Sequence, residues 1–265
     1  MSLAVAVEFA RVGFVNMLAF RLRYYTGIIT YFVNVTVYYF IWQAIFRAAP
    51  GLGGLNFPEM ITYVAVGWII RSMYFNNIDV EMASDILEGK IVMTLIRPVG
   101  VQVSYVSRVW GEALFRLVML SLPSAAVIAM VFPLRPPAGA LHAALFVVAA
   151  VGSVALVAYM NFIVGCFAVR LKSILGLLRA KFWMQDLLSG LLVPLSMFPP
   201  PLRAVSKWLP FEHIGYTPMM IYLGKLSLEE SVRALGIMCA WIAGLALFGR
   251  WLWEAMSRKL TVHGG

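Results

Sequence analysis

Charge is what this sequence has least of. Only 12% of its residues are Asp, Glu, Lys or Arg, against roughly a quarter in a soluble domain, and the mean hydropathy is +0.86. A soluble fold has too little interior to hide so many apolar side chains and needs more polar residues to cover its surface, which excludes a soluble helical protein. Cysteine is nearly absent: Cys166 and Cys239 sit in apolar stretches, make no disulfide framework and no metal set, and read as small core residues. The three histidines, His142, His213 and His263, have no His or Cys partner at ligand spacing, so no metal site is expected. There is no GxSxG elbow and no Asp-rich pair, hence no catalytic constellation. There is no GxxxxGK[ST] loop either, so the chain does not hydrolyse ATP by the P-loop route. Basic patches interleaved with aromatics are also missing. The net charge of +9 therefore points to Lys and Arg gathered on a cytoplasmic membrane face and not to nucleic acid. The start, MSLAVAVEFARVGFVNM, lacks a basic head and a small-residue cleavage site, and no removable signal peptide is expected.

What is present is a series of apolar segments. Residues 1–24 place Arg11, Arg21 and Arg23 among Phe14, Leu18, Phe20 and Leu22, a pattern suited to an amphipathic helix in the membrane interface. Spans of about 20 residues are then expected at 24–46, 59–78, within 101–132, at 140–169, at 183–198 and at 231–253. The third is too long for one perpendicular crossing and should begin outside the lipid. The fourth, rich in Ala143, Ala144, Ala149, Ala150, Gly152, Ser153, Ala155 and Gly165, is expected to be the most buried helix, because small residues let helices approach closely in lipid. Pro194, Pro199, Pro200, Pro201, Pro210 and Pro218 interrupt the fifth region. Freed backbone groups at membrane depth must be shielded by protein or face water, so residues 199–225 are read as short external re-entrant helices. The expected architecture is all-α and integral to the membrane. It comprises an interfacial helix over 1–24, a six-helix domain over 25–253 and a cytoplasmic tail over 254–265. With both termini inside, twelve Lys and Arg fall on cytoplasmic segments and six on outer ones, at 47, 135, 203, 207, 225 and 233. That bias supports the orientation.

Polar groups inside spans are costly and so are candidates for function. Arg71 can snorkel to the surface, pair with an acid or line a path, and its position favours snorkelling. Glu112 and Arg116, four apart on one helical face, should satisfy each other. Asn34, Asn77, Asn161 and Asp186 either line a path or hydrogen-bond a neighbouring helix, and the second is the commoner use of such residues.

The densest charge lies in DVEMASDILEGKIVMTLIRP, residues 79–98. Glu81, Asp85 and Glu88 recur at spacings of four and three and so share one helix side, with Met82, Ile86 and Val92 available to rest against the membrane domain. Gly89 permits a turn and Pro98 ends the following segment. Spacing alone fits a short docking helix and an ordinary solvated loop equally well.

Three stretches, FARVGFVNMLAFRLRYYTG, ILEGKIVMTLIRPVG and SGLLVPLSMFPPPLRAVSKWLPF, together resemble the membrane subunits of type 2 ATP-binding-cassette (ABC) exporters in which permease and ATPase are separate chains. Gly89, Lys90, Arg97 and Pro98 carry the most specific part of the likeness. The resemblance implies a permease of the inner membrane that moves its substrate by alternating access. It would pair with a second permease, identical or related, and bind two ATPase subunits that hold ATP and Mg, with no cofactor on this chain. The coupling role then falls on Asp79, Glu81, Asp85, Glu88, Gly89, Lys90 and Arg97, and the Pro-rich segment from Gly190 to Lys225 would match an external gate. Two other classes stand beside this reading: an ion-coupled secondary transporter, which expects matched broken helices in two repeated halves, and a membrane-bound lipid-modifying enzyme, which expects a catalytic acid or metal set. Substrate and direction stay open at this level.

Overall fold

The structure, a computed structural model, describes residues 3–18, 21–49, 51–171 and 173–258. Lys172, and the expected tail beyond Arg258 with His263, lie outside the described residues. Among those residues regular structure is helical throughout, with no strand. This is the form in which a lipid-embedded segment satisfies its own backbone.

Helices α1 (Leu3–Leu18) and α2 (Arg21–Ala48) open the chain. Helix α3 (Phe57–Tyr74) starts at a capping box in which Asn56 Oδ1 accepts the Glu59 amide at 3.0 Å and the Glu59 carboxylate accepts the Asn56 amide at 2.9 Å. An elbow at Asn76 and Asn77 leads to α4 (Ile78–Leu87), and Gly89, with φ +72°, turns the chain into the single turn of α5 (Val92–Leu95). Only a residue without Cβ adopts that φ freely. Helices α6 (Val101–Arg116) and α7 (Leu122–Val131) join through a π-helical turn at Leu117–Ser121. The turn lies just before Pro123, whose ring would clash with a carbonyl of a regular α-helix. Then come α8 (Ala140–Cys166), α9 (Leu175–Leu188), α10 (Pro200–Ser206), α11 (Tyr216–Tyr222) and α12 (Leu228–Ser257), the last started by a second capping box between Ser227 and Glu230.

Among the described residues four stretches are long and apolar enough to cross a membrane: Tyr24–Ala48, Val101–Val131, Ala140–Val169 and Leu228–Ser257. The second, at 31 residues and about 1.5 Å per residue, exceeds the roughly 30 Å of a hydrocarbon core. Helix α3 has 18 residues that include Glu59 and Arg71, and α9 has 14.

Residues 183–198 do not form one helix. Helix α9 stops at Leu188, and Gly190 takes φ +75°. The carbonyls freed by this break are satisfied inside the protein: Tyr63 Oη on α3 donates to Gly190 O at 2.7 Å, and the Tyr216 amide at the start of α11 donates to Ser189 O at 2.8 Å. An unpaired buried carbonyl is costly, so the break is tied to α3 and α11.

Three expectations need correcting. Helix α8 is the most buried of the four long helices, with Gly152 and Gly165 set against Met238 and Met82, but α3 is buried along more of its length. Small residues bring helices close, whereas charged ones demand protein on every side, and the second effect decides here. Helix α1, expected in the membrane interface, packs on α6. Gly13 and Gly111 form the crossing, where a Cβ on Gly111 would stand 1.6 Å from Ala10 O, and the Phe14 and Phe115 rings meet edge-on at 5.3 Å. Cys166 is a core residue, but Cys239 is exposed on the outer side of α12.

Candidate functional site

Helices α4 and α5 close one end of the bundle, and their side chains divide in an unexpected way. Three of the acids turn inward. The Asp79 carboxylate, 1% exposed, receives the Lys181 ammonium of α9. Glu81 is paired with Arg108 on α6, and burial lifts its carboxyl above the ordinary range while Arg108 pulls it back. Tyr105 Oη donates to Asp85 Oδ2 at 2.5 Å. On the same helix Met82 is fully buried against Gly165 of α8.

What faces outward is mostly apolar. Leu87, Met93 and Ile96 are 58%, 65% and 72% exposed. Around them stand Glu88, paired with Lys90 and accepting from Ser84 Oγ at 2.7 Å, and Arg97, whose guanidinium lies 5.8 Å from the ring of Phe9 on α1. The hydrogen bond from Lys90, then that from Ser84, holds the Glu88 carboxyl below its usual range. Met82 and Ile86 rest against the bundle as expected, but the expectation that the acids face outward is corrected: Asp79, Glu81 and Asp85 anchor the element, and the outward face is an apolar patch with a charged rim. The physical reason is that Arg108, Tyr105 and Lys181 stand behind α4. They supply the partners that acids turned towards the bundle require, and α5 after Gly89 carries the next apolar residues to the outside.

Behind α4 lies a buried polar network. The Arg71 guanidinium donates to Asp186 of α9 and lies 5.5 Å from the Trp68 ring and 5.3 Å from the Phe182 ring. Arg71 therefore does not snorkel, as its position suggested, but turns inward, where Asp186 supplies the countercharge its burial requires. Asn161 Nδ2 donates to Asn76 O at 3.0 Å and to Asn76 Oδ1 at 2.9 Å, and its Oδ1 accepts from Lys181 Nζ at 2.7 Å. Ser72 Oγ and Ser121 Oγ lie 2.6 Å apart, joining α3 to the π-turn. Arg116 donates to Glu112 at 3.2 Å, as their spacing predicts. Asn161 and Asp186 thus join neighbouring helices. Asn34 does neither of the things considered for it, since its Nδ2 bonds Thr30 O at 2.8 Å on its own helix. Asn77 is exposed and borders two cavities, of about 450 and about 290 Å³.

Lys181, Asn76, Tyr105 and Arg108 were missed as partners. The doublet Asn76-Asn77 after an apolar run was a usable signal of the elbow, whereas the others lie 20 or more residues from the groups they hold and leave no trace in spacing.

At the opposite end of α3, Glu59 accepts from Arg135 at 3.1 Å and from Lys225 at 2.9 Å, and the Arg135 amide donates to Thr62 Oγ1 at 2.9 Å. The α7–α8 connection and the end of α11 are so fastened to the first turn of α3.

No curated protein matches the chain. Residues 32–264 match the family model described as ABC-2 family transporter protein. That match takes in three of the four long helices whole and the first from Phe32 onward, with the α4–α5 element and the buried network behind it, and the chain belongs to this family of ABC transporter membrane components.

Proposed function

We propose that the chain is the permease of an ATP-driven exporter, a multi-pass protein of the inner membrane whose α4–α5 element docks on a separate ATPase subunit in the cytoplasm. The observation that carries this reading is the outward patch of Leu87, Met93 and Ile96 with Glu88, Lys90 and Arg97 at its rim. An apolar centre with a charged border is the anatomy of a protein interface. With no P-loop in the sequence, ATP and Mg belong to the partner. Two ATPase subunits and a second permease, identical or related, would complete the assembly.

The anchoring of α4 supports a coupling role. Asp79 holds it to α9, Glu81 and Asp85 hold it to α6, and Met82 seats it on α8. A push on the patch therefore moves three helices together and does not merely bend a loop. Each ATPase state then favours one arrangement of the permease pair through the contacts it makes with this patch, which is how a ligand biases access between the two sides. Six crossings remain the proposed topology, with α3, which the protein itself surrounds, and the α9 region as the two shorter ones and 199–225 as the outer re-entrant part.

The test is Leu87→Asp combined with Ile96→Asp. Both side chains are exposed, so insertion and thermal stability stay at the wild-type level. Binding to the ATPase in detergent weakens by about 30-fold or more if both belong to the interface centre, and stimulation of ATP hydrolysis is lost. Wild-type stimulation in this variant would remove the coupling assignment.

A further inference from the structure

Between the α3–α4 elbow, α8 and α9 lies a cavity of about 290 Å³, at the small end of ligand pockets, which run from about 300 Å³ upward. Its lining mixes apolar and cationic side chains. Val157 of α8 and Leu175, Leu178 and Phe182 of α9 give it apolar lining, and Arg179 and Lys181, also on α9, stand among them. The charges can be followed pair by pair. Arg71 is neutralised by Asp186 and Lys181 by Asp79, while the second Asp79 oxygen accepts the Val80 amide at 3.0 Å. Among the described residues no carboxylate pairs with Arg179 and no hydrogen bond is recorded for it. The cavity therefore carries a net positive charge. Lys181, which donates to Asp79 and to Asn161, has a third N–H to give, and Arg179 has five.

We propose that this cavity binds a phosphate-headed amphiphile. Its anionic head would sit on Arg179 and on the remaining Lys181 proton, and the first carbons of its chain would lie along Leu175, Leu178 and Phe182. The volume admits a head group and a short length of chain, not a whole lipid. A planar guanidinium matches phosphate oxygens in pairs, and an apolar wall beside it selects an amphiphile over a free anion. The site stands whether or not the chain proves to be an exporter, since it draws only on the cavity and its unpaired cation.

Native mass spectrometry of the purified full chain tests it, with phosphatidylglycerol, phosphatidylcholine and glycerol phosphate as probes. The expected result is retention of phosphatidylglycerol over phosphatidylcholine, weakened about tenfold or more in Arg179→Gln and kept in Arg179→Lys, because one charge-assisted contact is lost in the first and retained in the second. Leu175→Trp, at an exposed wall position, should reduce retention by filling the path of the chain, with the charge untouched. Unfolding midpoints of all three variants should match wild type, since both positions are exposed. Equal retention of both lipids, or an unchanged Arg179→Gln, would show annular lipid only and overturn the site. Competition by glycerol phosphate as effective as by the lipid would overturn the amphiphile assignment in favour of a soluble phosphate.

Discussion

Removing one member of the Arg71–Asp186 pair should do more harm than removing both. The two side chains join α3 to α9 across 115 positions of sequence, and each residue is only 8% exposed. Asp186→Leu leaves a buried guanidinium without a countercharge, a defect of about 3–5 kcal/mol. The Trp68 and Phe182 faces, 5.5 and 5.3 Å away, offset about 1–2 kcal/mol of it, for a net loss of about 1–4 kcal/mol. Arg71→Met produces the mirror-image defect. The double variant Arg71→Met with Asp186→Leu carries no buried charge and should regain most of either loss, as buried ion pairs replaced by apolar side chains commonly do. Equilibrium unfolding in mixed micelles, run as a double-mutant cycle, then gives a coupling energy of about 2 kcal/mol or more. Hydrogen exchange supplies the local readout: α9 amides should open faster in the single variants and return towards wild type in the double. If the two single effects add to within about 0.5 kcal/mol, the pair does not hold α9 and the reasoning fails.

Two further outcomes follow from the packing. Gly111→Val should lift α1 off α6, because a Cβ there meets Ala10 O at 1.6 Å; disulfide trapping between cysteines introduced at positions 14 and 115 should fall sharply, with about 1–3 kcal/mol of stability lost to overpacking. His213, between α10 and α11, is buried, and burial lowers it from 6.5 to about 4. The unfolded chain therefore binds the proton first, and stability present above pH 6.5 should decline as pH falls towards 4, by about 3 kcal/mol at most; His213→Gln should flatten that part of the pH profile of the unfolding midpoint.

Local relations were legible in the sequence and distant ones were not. Glu112 and Arg116 are one turn apart, so their pairing could be read directly, and it is present at 3.2 Å. The spacing of Glu81, Asp85 and Glu88 placed a helix over this stretch, and α4 covers most of it. That spacing says which residues share a side but not which way the side points. Orientation depends on Arg108 and Tyr105, which lie 27 and 20 residues downstream of their acids. Arg71 was misjudged for the same reason: a cation near the end of an apolar run snorkels by default, and only the fold brings Asp186 to it. The proline-rich region was read correctly as a place where backbone groups need shielding, but Tyr63, 127 residues before Gly190, could not be named from pattern.

The same argument explains why α3 and α9 look unlike membrane helices in composition. Glu59, Arg71, Ser72, Lys181 and Asp186 lower their apolar character, and each would be expensive facing lipid. In the structure each meets protein: Glu59 meets Arg135 and Lys225, Arg71 meets Asp186, Ser72 meets Ser121, and Lys181 meets Asp79 and Asn161. The polar residues that weaken the hydropathy signal are therefore the ones that fasten these two helices to α4, to α8 and to the π-turn. A helix held by a few directional polar contacts has discrete alternative seatings, whereas one held by apolar surface alone slides by degrees. If α4 is the docking element, as proposed, α3 and α9, and not the four long apolar helices, are where its movement would first be felt.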